Sequence, residues 1–261
     1  MALLNNKKIV ITRAQSQTSK LRNLLEEKGA SVIGIPTIEV VPFAEKQATI
    51  EVFAEIATYD WIIFTSANGV KYFFETFFKA FKDIRSLGIM RIAAIGESTA
   101  AELEKLHLQV DVIPKQSDSV ALADELIKEH TLEHLNMLVI TGNLNQVTMA
   151  DKLEKEGMAI VDSLQVYETK HLDISKNANL AEFKKNGADA IIFTSSSTAN
   201  SYFSQTDKIR LSKGATTPAY CSIGPITSKT IADKKASVAV EAKEATIECI
   251  VKDLEAYFKK A

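Results

Sequence analysis

Short apolar runs alternate with longer amphipathic segments along the whole chain. The most regular run is Trp61-Ile62-Ile63-Phe64-Thr65-Ser66, and it returns as Ala190-Ile191-Ile192-Phe193-Thr194-Ser195. Each copy has an aspartate before it (Asp60, Asp189) and small polar residues after it. An apolar run of that length, closed by turn residues, predicts a strand buried on both faces. Further strands are predicted at 8–12, 31–35, 91–96, 109–113 and 137–141. Helices are predicted at 17–28, 50–57, 70–78, 97–106 and 119–129, with a shorter one at 198–203. The first helix carries Leu21, Leu24 and Leu25 on one face and stops at Gly29. The chain becomes polar over residues 45–49. Alternation of strands and helices predicts parallel sheets covered on both faces.

The second half repeats the first. Met137-Leu138-Val139-Ile140-Thr141 matches the first strand, and Lys152-Leu153-Glu154-Lys155-Glu156-Gly157 matches Leu24-Leu25-Glu26-Glu27-Lys28-Gly29. Ile95-Gly96-Glu97-Ser98-Thr99 matches Ile223-Gly224-Pro225-Ile226-Thr227. The shift is 129 for the first strand (141 minus 12) and for Ser66 (195 minus 66), and 128 for the threonines (227 minus 99). This is an internal duplication. The domain cut can fall near residue 131. Alternatively the domains interleave: residues 1–36 pack with the last third, and the chain crosses twice, at 37–41 and 165–170. Both crossings are β-prone, and neither is a Gly/Ser linker.

Composition narrows the class. The 261 residues are 46% apolar and 25% charged, with net charge -2, so there is no electrostatic footprint for nucleic acid. No apolar run approaches the ~20 residues of a membrane span. Residues 1–8 lack the apolar core of a secretory signal, which points to the cytoplasm. Cys221 and Cys249 form no spaced motif and read as free thiols.

In parallel α/β sheets ligands bind beyond the carboxyl ends of the strands. That rule selects Thr12, Arg13, Thr65, Ser66, Asn68, Gly96, Ser98, Thr99, Thr141, Gly142, Asn143, Thr194, Ser195, Ser196, Gly224 and Thr227. Several open a helix, where unpaired N–H groups and the helix dipole favour carboxylate or phosphate. Each serine or threonine taken alone is also accounted for as a helix cap. As a set on two repeats they point to a shared anionic ligand. His130 and His134, four apart, could share a helix face, but a third metal ligand is lacking. There is no Gly-x-Gly-x-x-Gly, Gly-x-x-x-x-Gly-Lys or Gly-x-Ser-x-Gly. Phe73, Phe74, Phe77, Phe78 and Phe81 have helical spacing and read as packing. Tyr167, in the second crossing, is either a hinge ring or a neutral proton donor facing a cleft.

Several stretches resemble the uroporphyrinogen-III synthase family. They are Ile11-Thr12-Arg13, Phe64-Thr65-Ser66-Ala67-Asn68-Gly69-Val70, Ala94-Ile95-Gly96-Glu97-Ser98-Thr99-Ala100, Val166-Tyr167-Glu168, Phe193-Thr194-Ser195 and Ser222-Ile223-Gly224-Pro225-Ile226-Thr227. The resemblance covers nearly the whole chain. It implies two parallel-sheet, flavodoxin-like α/β domains from an internal duplication, joined by a two-stranded β linker. One domain would be 1–36 plus 171–261, the other 42–164, and the linker strands 37–41 and 165–170.

The implied activity is that of a lyase of tetrapyrrole (haem) biosynthesis. It cyclises hydroxymethylbilane to uroporphyrinogen III with loss of water and inversion of the last pyrrole ring. It would work as a monomer without metal or organic cofactor, in transient contact with the preceding pathway enzyme. Tyr167 would be the proton donor, and the strand-end residues would hold substrate carboxylates. The chain departs from the family pattern in places. The turn Thr141-Gly142-Asn143-Leu144-Asn145-Gln146 has no arginine, Ala67 and Ala245 replace frequent prolines, and Asn68 replaces a frequent basic residue. Carboxylate binding would then fall to backbone groups. The competing readings are a non-catalytic two-domain clamshell for a small anion, and a sugar-nucleotide transferase, for which no diphosphate-binding set is found.

Overall fold

The structure, a computed structural model, describes residues 3–43, 45–144 and 148–260. The chain forms two compact units. One is Met1–Glu39 with Lys170–Ala261, the other Val40–Thr169.

The first unit has a five-stranded sheet. Its strands are β1 (Lys8–Ile11), β2 (Ser31–Gly34), β8 (Ala190–Phe193), β9 (Ala219–Ser222) and β10 (Val238–Glu241). Their order is β2-β1-β8-β9-β10, and each pair is parallel. Counted along the unit this is the 2-1-3-4-5 order of a doubly wound sheet. The second sheet consists of β3 (Ile38–Pro42), β4 (Trp61–Phe64), β5 (Arg91–Ala94), β6 (Asn136–Gly142) and β7 (Ile160–His171), in the order β3-β7-β6-β4-β5. β4, β5, β6 and β7 are joined by parallel ladders.

Four neighbouring strands of the two sheets correspond. β4 stands where β8 stands, β5 where β9 stands, β6 where β1 stands and β7 where β2 stands. The predicted strand at 109–113 shrinks to a bridge between Ala93 and Val112, in the place of β10. Apart from β3, an edge strand beside β7 with no counterpart in the first sheet, the chain therefore enters the shared pattern at its third position and reaches the first position later, a permuted order of one pattern. The register also corrects the predicted shift of the first strand. Ile9 pairs with Ala190, and Met137 with Trp61. Met137 thus replaces Ile9 at a shift of 128 (137 minus 9), not 129. Burial agrees: Ile9 and Ile11 share a core with Ala190 and Ile192, as Met137 and Val139 share one with Trp61 and Ile63. A one-residue slip would turn these side chains to the other face.

Helices cover both faces of each sheet. In the first unit α1 (Ser19–Glu27) and α10 (Ile247–Lys260) bring Leu21, Leu25, Ile250 and Leu254 to one face. On the other face α7 (Leu180–Asn186), α8 (Ser196–Phe203) and α9 (Pro225–Asp233) bring Phe183, Tyr202 and Ile231. In the second unit α5 (Ser119–Glu129) and α6 (Thr148–Lys155) supply Leu122, Leu126, Met149 and Leu153. The opposite face takes the phenylalanines of α3 (Ala67–Ala80), with Phe64 edge-on to Phe73 at 5.6 Å. Phe53, from α2 (Lys46–Ala54), packs on Phe73 and Phe77. The polar stretch at 45–49 is mostly the start of α2, whose exposed first turn explains the polarity. α4 (Glu97–Glu104) completes this unit. α5 ends at Glu129, His130 is its cap, and His134 has a left-handed φ of 62°, so the two histidines share no helix face.

Candidate functional site

Because β1, β2, β8, β9 and β10 are parallel, as are β4 to β7, their carboxyl ends gather the predicted residues into one group per unit; β3 runs antiparallel to β7, the Phe43 N–H donating to Val166 O and the Leu172 N–H to Thr37 O. In the second unit Ser66 is the N-cap of α3, and its Oγ accepts the Gly69 N–H at 3.0 Å. In the first unit Ser195 is the N-cap of α8 and accepts the Thr198 N–H at 3.3 Å. The repeated serines therefore do cap helices. The other two helix starts differ. Gly96 before α4 and Gly224 before α9 provide no side-chain cap. α9 begins with Pro225, which has no N–H to offer. Gly96 has φ of 80°, and a Cβ there would lie 2.7 Å from Ser117 Oγ, so glycine is required by shape.

Several predicted hydroxyls face inward. Thr12 is fully buried and donates to Ile192 O (3.0 Å), and Thr99 is buried and donates to Ile95 O (2.9 Å). Thr141 and Thr227 are buried as well. By the register above, Thr141 stands in the place of Arg13 rather than of Thr12. Ser98 and Asn143 are exposed, while Ser66, Asn68, Ser195 and Ser196 are half-exposed at the mouths. Asn143 ties β6 to β7: its Oδ1 accepts the Thr169 N–H (2.8 Å) and its Nδ2 donates to Thr169 O (3.2 Å). Ser196 Oγ donates to Ile226 O at 3.4 Å, linking the starts of α8 and α9. Thr65 Oγ1 donates to Ile140 O at 2.9 Å. The Asn145–Gln146 end of the arginine-free turn lies outside the described residues.

Two side chains at the mouths stand apart from the hydroxyls around them. Arg13 is half-buried, its Nε donates to Gln17 Oε1 (3.2 Å), and burial pushes its pKa down. Among the described residues no carboxylate pairs with it. The second is Tyr167. Its Oη accepts a hydrogen bond from Ser66 Oγ at 3.0 Å, and its ring lies parallel to Tyr72 with centroids 6.2 Å apart. Burial pushes its pKa up, and the bond from Ser66 pulls it down by less. At neutral pH the phenol is protonated, so its proton is available to a bound molecule.

Two supporting residues were not foreseen. Tyr72 carries the ring beneath Tyr167, and its hydroxyl donates to Val40 O at 3.0 Å. The signal was a hydroxyl-bearing ring inside the phenylalanine helix. Thr37 was read only as part of a crossing. It is buried and bonds the carbonyls of Thr12 and Thr198, while Ser201 donates to its own carbonyl at 2.6 Å. Cavities of about 510 and 560 Å³ lie at the amino ends of the strands, lined by Asp60, Trp61, Arg91 and His130 in one unit and by Lys7, Asp189 and Tyr257 in the other. They are away from the strand ends where such sheets bind ligands, and their aspartates are engaged in the strand ladders.

Residues 19–252 match the family described as uroporphyrinogen-III synthase HemD. The chain is 29% identical over 264 residues to a uroporphyrinogen-III synthase of Synechococcus elongatus, covering 98% of this chain and 97% of that one. It is 28% identical over 199 residues to that of Chlorobaculum parvum, covering 76% and 78% of the two. Among solved structures, a uroporphyrinogen III synthase of Thermus thermophilus superposes with TM-score 0.69 at 13% identity, over 98% of this chain and all of that one. That of Helicobacter pylori gives 0.58 at 19% identity, over 94% and 97%. The structural likeness shows the fold, and the family match extends over most of the sequence. The chain belongs to the uroporphyrinogen-III synthase family.

Proposed function

We propose that this protein converts hydroxymethylbilane to uroporphyrinogen III, as a cofactor-free hydro-lyase acting as a monomer in the cytoplasm. Family membership supports the reaction. The observation that carries the chemistry is Tyr167, a protonated, half-buried phenol whose oxygen accepts a bond from Ser66.

The reaction loses water and forms a carbon–carbon bond, so it needs neither an oxidant nor a group donor. The pyrrole nitrogen's electron pair expels the hydroxyl of the substrate, and Tyr167 gives that hydroxyl its proton so that it leaves as water. Ring closure at the substituted carbon of the last ring gives a spiro intermediate; the older bond from that carbon to the third ring's methylene then breaks, the freed methylene bonds the unsubstituted α-carbon of the same last ring, and loss of that carbon's proton, which replaces the one Tyr167 gave, leaves the ring inverted. The protein's further task is to hold the chain folded for that closure. The substrate's carboxylates would be held by Arg13, by the side chains of Asn68, Ser98, Asn143, Ser195 and Ser196, and by N–H groups at the helix starts after Gly96 and Gly224. Thr12, Thr99, Thr141 and Thr227, being buried, would shape the strand ends that present these donors.

The test supplies hydroxymethylbilane and separates the type I and type III isomers. The expected outcome is type III in excess. Type I alone, at the uncatalysed rate, would remove this reading.

A further inference from the structure

Tyr167 sits just past a break in the β6–β7 ladder. Thr141 pairs with Gln165, but Gly142 pairs with Tyr167, so Val166 is an extra residue on β7. A bulge of this kind re-aims the side chains that follow it. Tyr167 takes the position beside Gly142 that Val166 would otherwise occupy. Its ring fills the space into which a Cβ of residue 142 would project, where such an atom would collide with the ring and lie 2.8 Å from Oη.

Ser66 meets the same hydroxyl from the start of α3. Its Oγ accepts from the Gly69 N–H, and a backbone N–H can only donate. The serine's own hydrogen is therefore left for Tyr167 Oη, 3.0 Å away. With its oxygen accepting, the tyrosine must send its own proton elsewhere, and no acceptor for it lies in range among the described residues. Capping does not require this second bond. At the matching corner of the first unit Ser195 caps α8 in the same way, but its hydroxyl meets Ser197 Oγ at 2.9 Å, with no tyrosine.

We propose that Ser66 is a positioning residue for the reaction, which together with Gly142 holds Tyr167 so that its phenolic proton points out of the protein toward substrate. This rests on the reading of Tyr167 as proton donor. The same bond stabilises the tyrosinate left after the proton is given, which a helix cap alone would not do. The groups near Tyr167 are few. Tyr72 faces it from α3 with its own hydroxyl donated to Val40 O, Lys71 Nζ lies 5.0 Å from the centre of the Tyr72 ring, and Glu168 follows on β7.

The test titrates the protein with tyrosines labelled with carbon-13 at Cζ, the Tyr167 signal being the one absent from Tyr167→Phe. Ser66→Ala and Ser66→Gly remove the hydroxyl, the second with a residue that N-caps tolerate, and Ser66→Thr restores it. The expected result is an upward move of the Tyr167 pKa in both deletions and a return in Ser66→Thr. A Tyr167 pKa that stays put or falls in the deletions overturns the proposal. In the isomer assay the deletions should lose on the order of tenfold in kcat and nothing more when added to Tyr167→Phe. A full further loss in that background also overturns it. The titration needs no substrate, so it decides the hold of Ser66 on Tyr167 even if no variant, and not the parent either, yields the type III isomer.

Discussion

A glycine that faces a tyrosine ring across a parallel ladder has a cost of substitution that depends on the ring. The space at Gly142 is occupied by Tyr167, so Gly142→Ala must displace it or strain both strands. The expected loss is about 1–3 kcal/mol, as for other overpacked sites. Tyr167→Ala should remove most of it, since the colliding atoms are gone. Urea midpoints of the two single variants and the double give the coupling; a Gly142→Ala cost unchanged by loss of the ring would mean that the backbone, not the tyrosine, excludes a side chain there. Tyr167→Phe keeps the ring and loses only the hydroxyl, so it should remain folded while type III formation slows by about 100-fold or more; an unchanged rate would show that another group gives the proton. At this scale the sequence was partly legible. Tyr167 stood out as a lone polar aromatic in a β-prone crossing, and Ser66 as a hydroxyl before a helix. The place of Gly142 against the Tyr167 ring is not legible, because a one-residue bulge between two continuous strand patterns leaves no mark in hydrophobic periodicity.

The repeated aspartates act at the level of the strand. Asp189 Oδ2 accepts the N–H of Lys8 at 2.8 Å, and Asp60 Oδ2 accepts that of Asn136 at 2.8 Å. Each carboxylate sits at the base of one strand and satisfies the first donor of the next, β1 beside β8 and β6 beside β4. The pair of bonds is an independent sign that β1 and β6 are related by 128 residues (136 minus 8), while the aspartates are related by 129 (189 minus 60). Asp189→Ala should cost about 1–2 kcal/mol, the range for a hydrogen bond to a charged group that water partly reaches. Lys7→Ala, which removes the partly exposed ion pair to the same carboxylate and a cation–π contact with Phe258, should cost less, below about 1 kcal/mol. Equal losses in chemical denaturation would mean that the charge pair, not the strand N–H, is what Asp189 serves. Both aspartates were visible as the acidic residue before each apolar run. Their partners were not, because the contact joins residues about 180 and 76 apart in the chain. The strand predicted at 109–113 failed for a related reason: a β-prone run at a sheet edge pairs only as far as its neighbour's register allows, and here that is Asp111 and Val112.

Duplication made the repeat legible but left the cut between domains open, since a doubled unit can be joined end to end or exchanged. Strand pairing separates these cases. β1, which carries β2 on its other edge, finds its second ladder partner in β8, more than 170 residues later, while β4 to β7 pair continuously among themselves. The consequence concerns what can fold alone. The contiguous segment 40–169 contains both cores of its sheet, the α5–α6 layer and the aromatic α3 layer. It should show a cooperative thermal transition by itself. The segment 1–131, which a simple halving would take as a domain, should not. It carries β1 and β2 without β8, so Ile9, Val10 and Ile11 lose their pairing on that edge, and it carries β4 without β6, so Trp61 to Phe64 lose theirs. Each missing ladder also exposes buried apolar side chains at roughly 25 cal/mol per Å², and the open edges invite aggregation. Circular dichroism melts of the two segments distinguish the cases. A sharp transition in 1–131, or its absence in 40–169, would mean that stability in this chain follows the order of the repeats rather than the pairing of the strands.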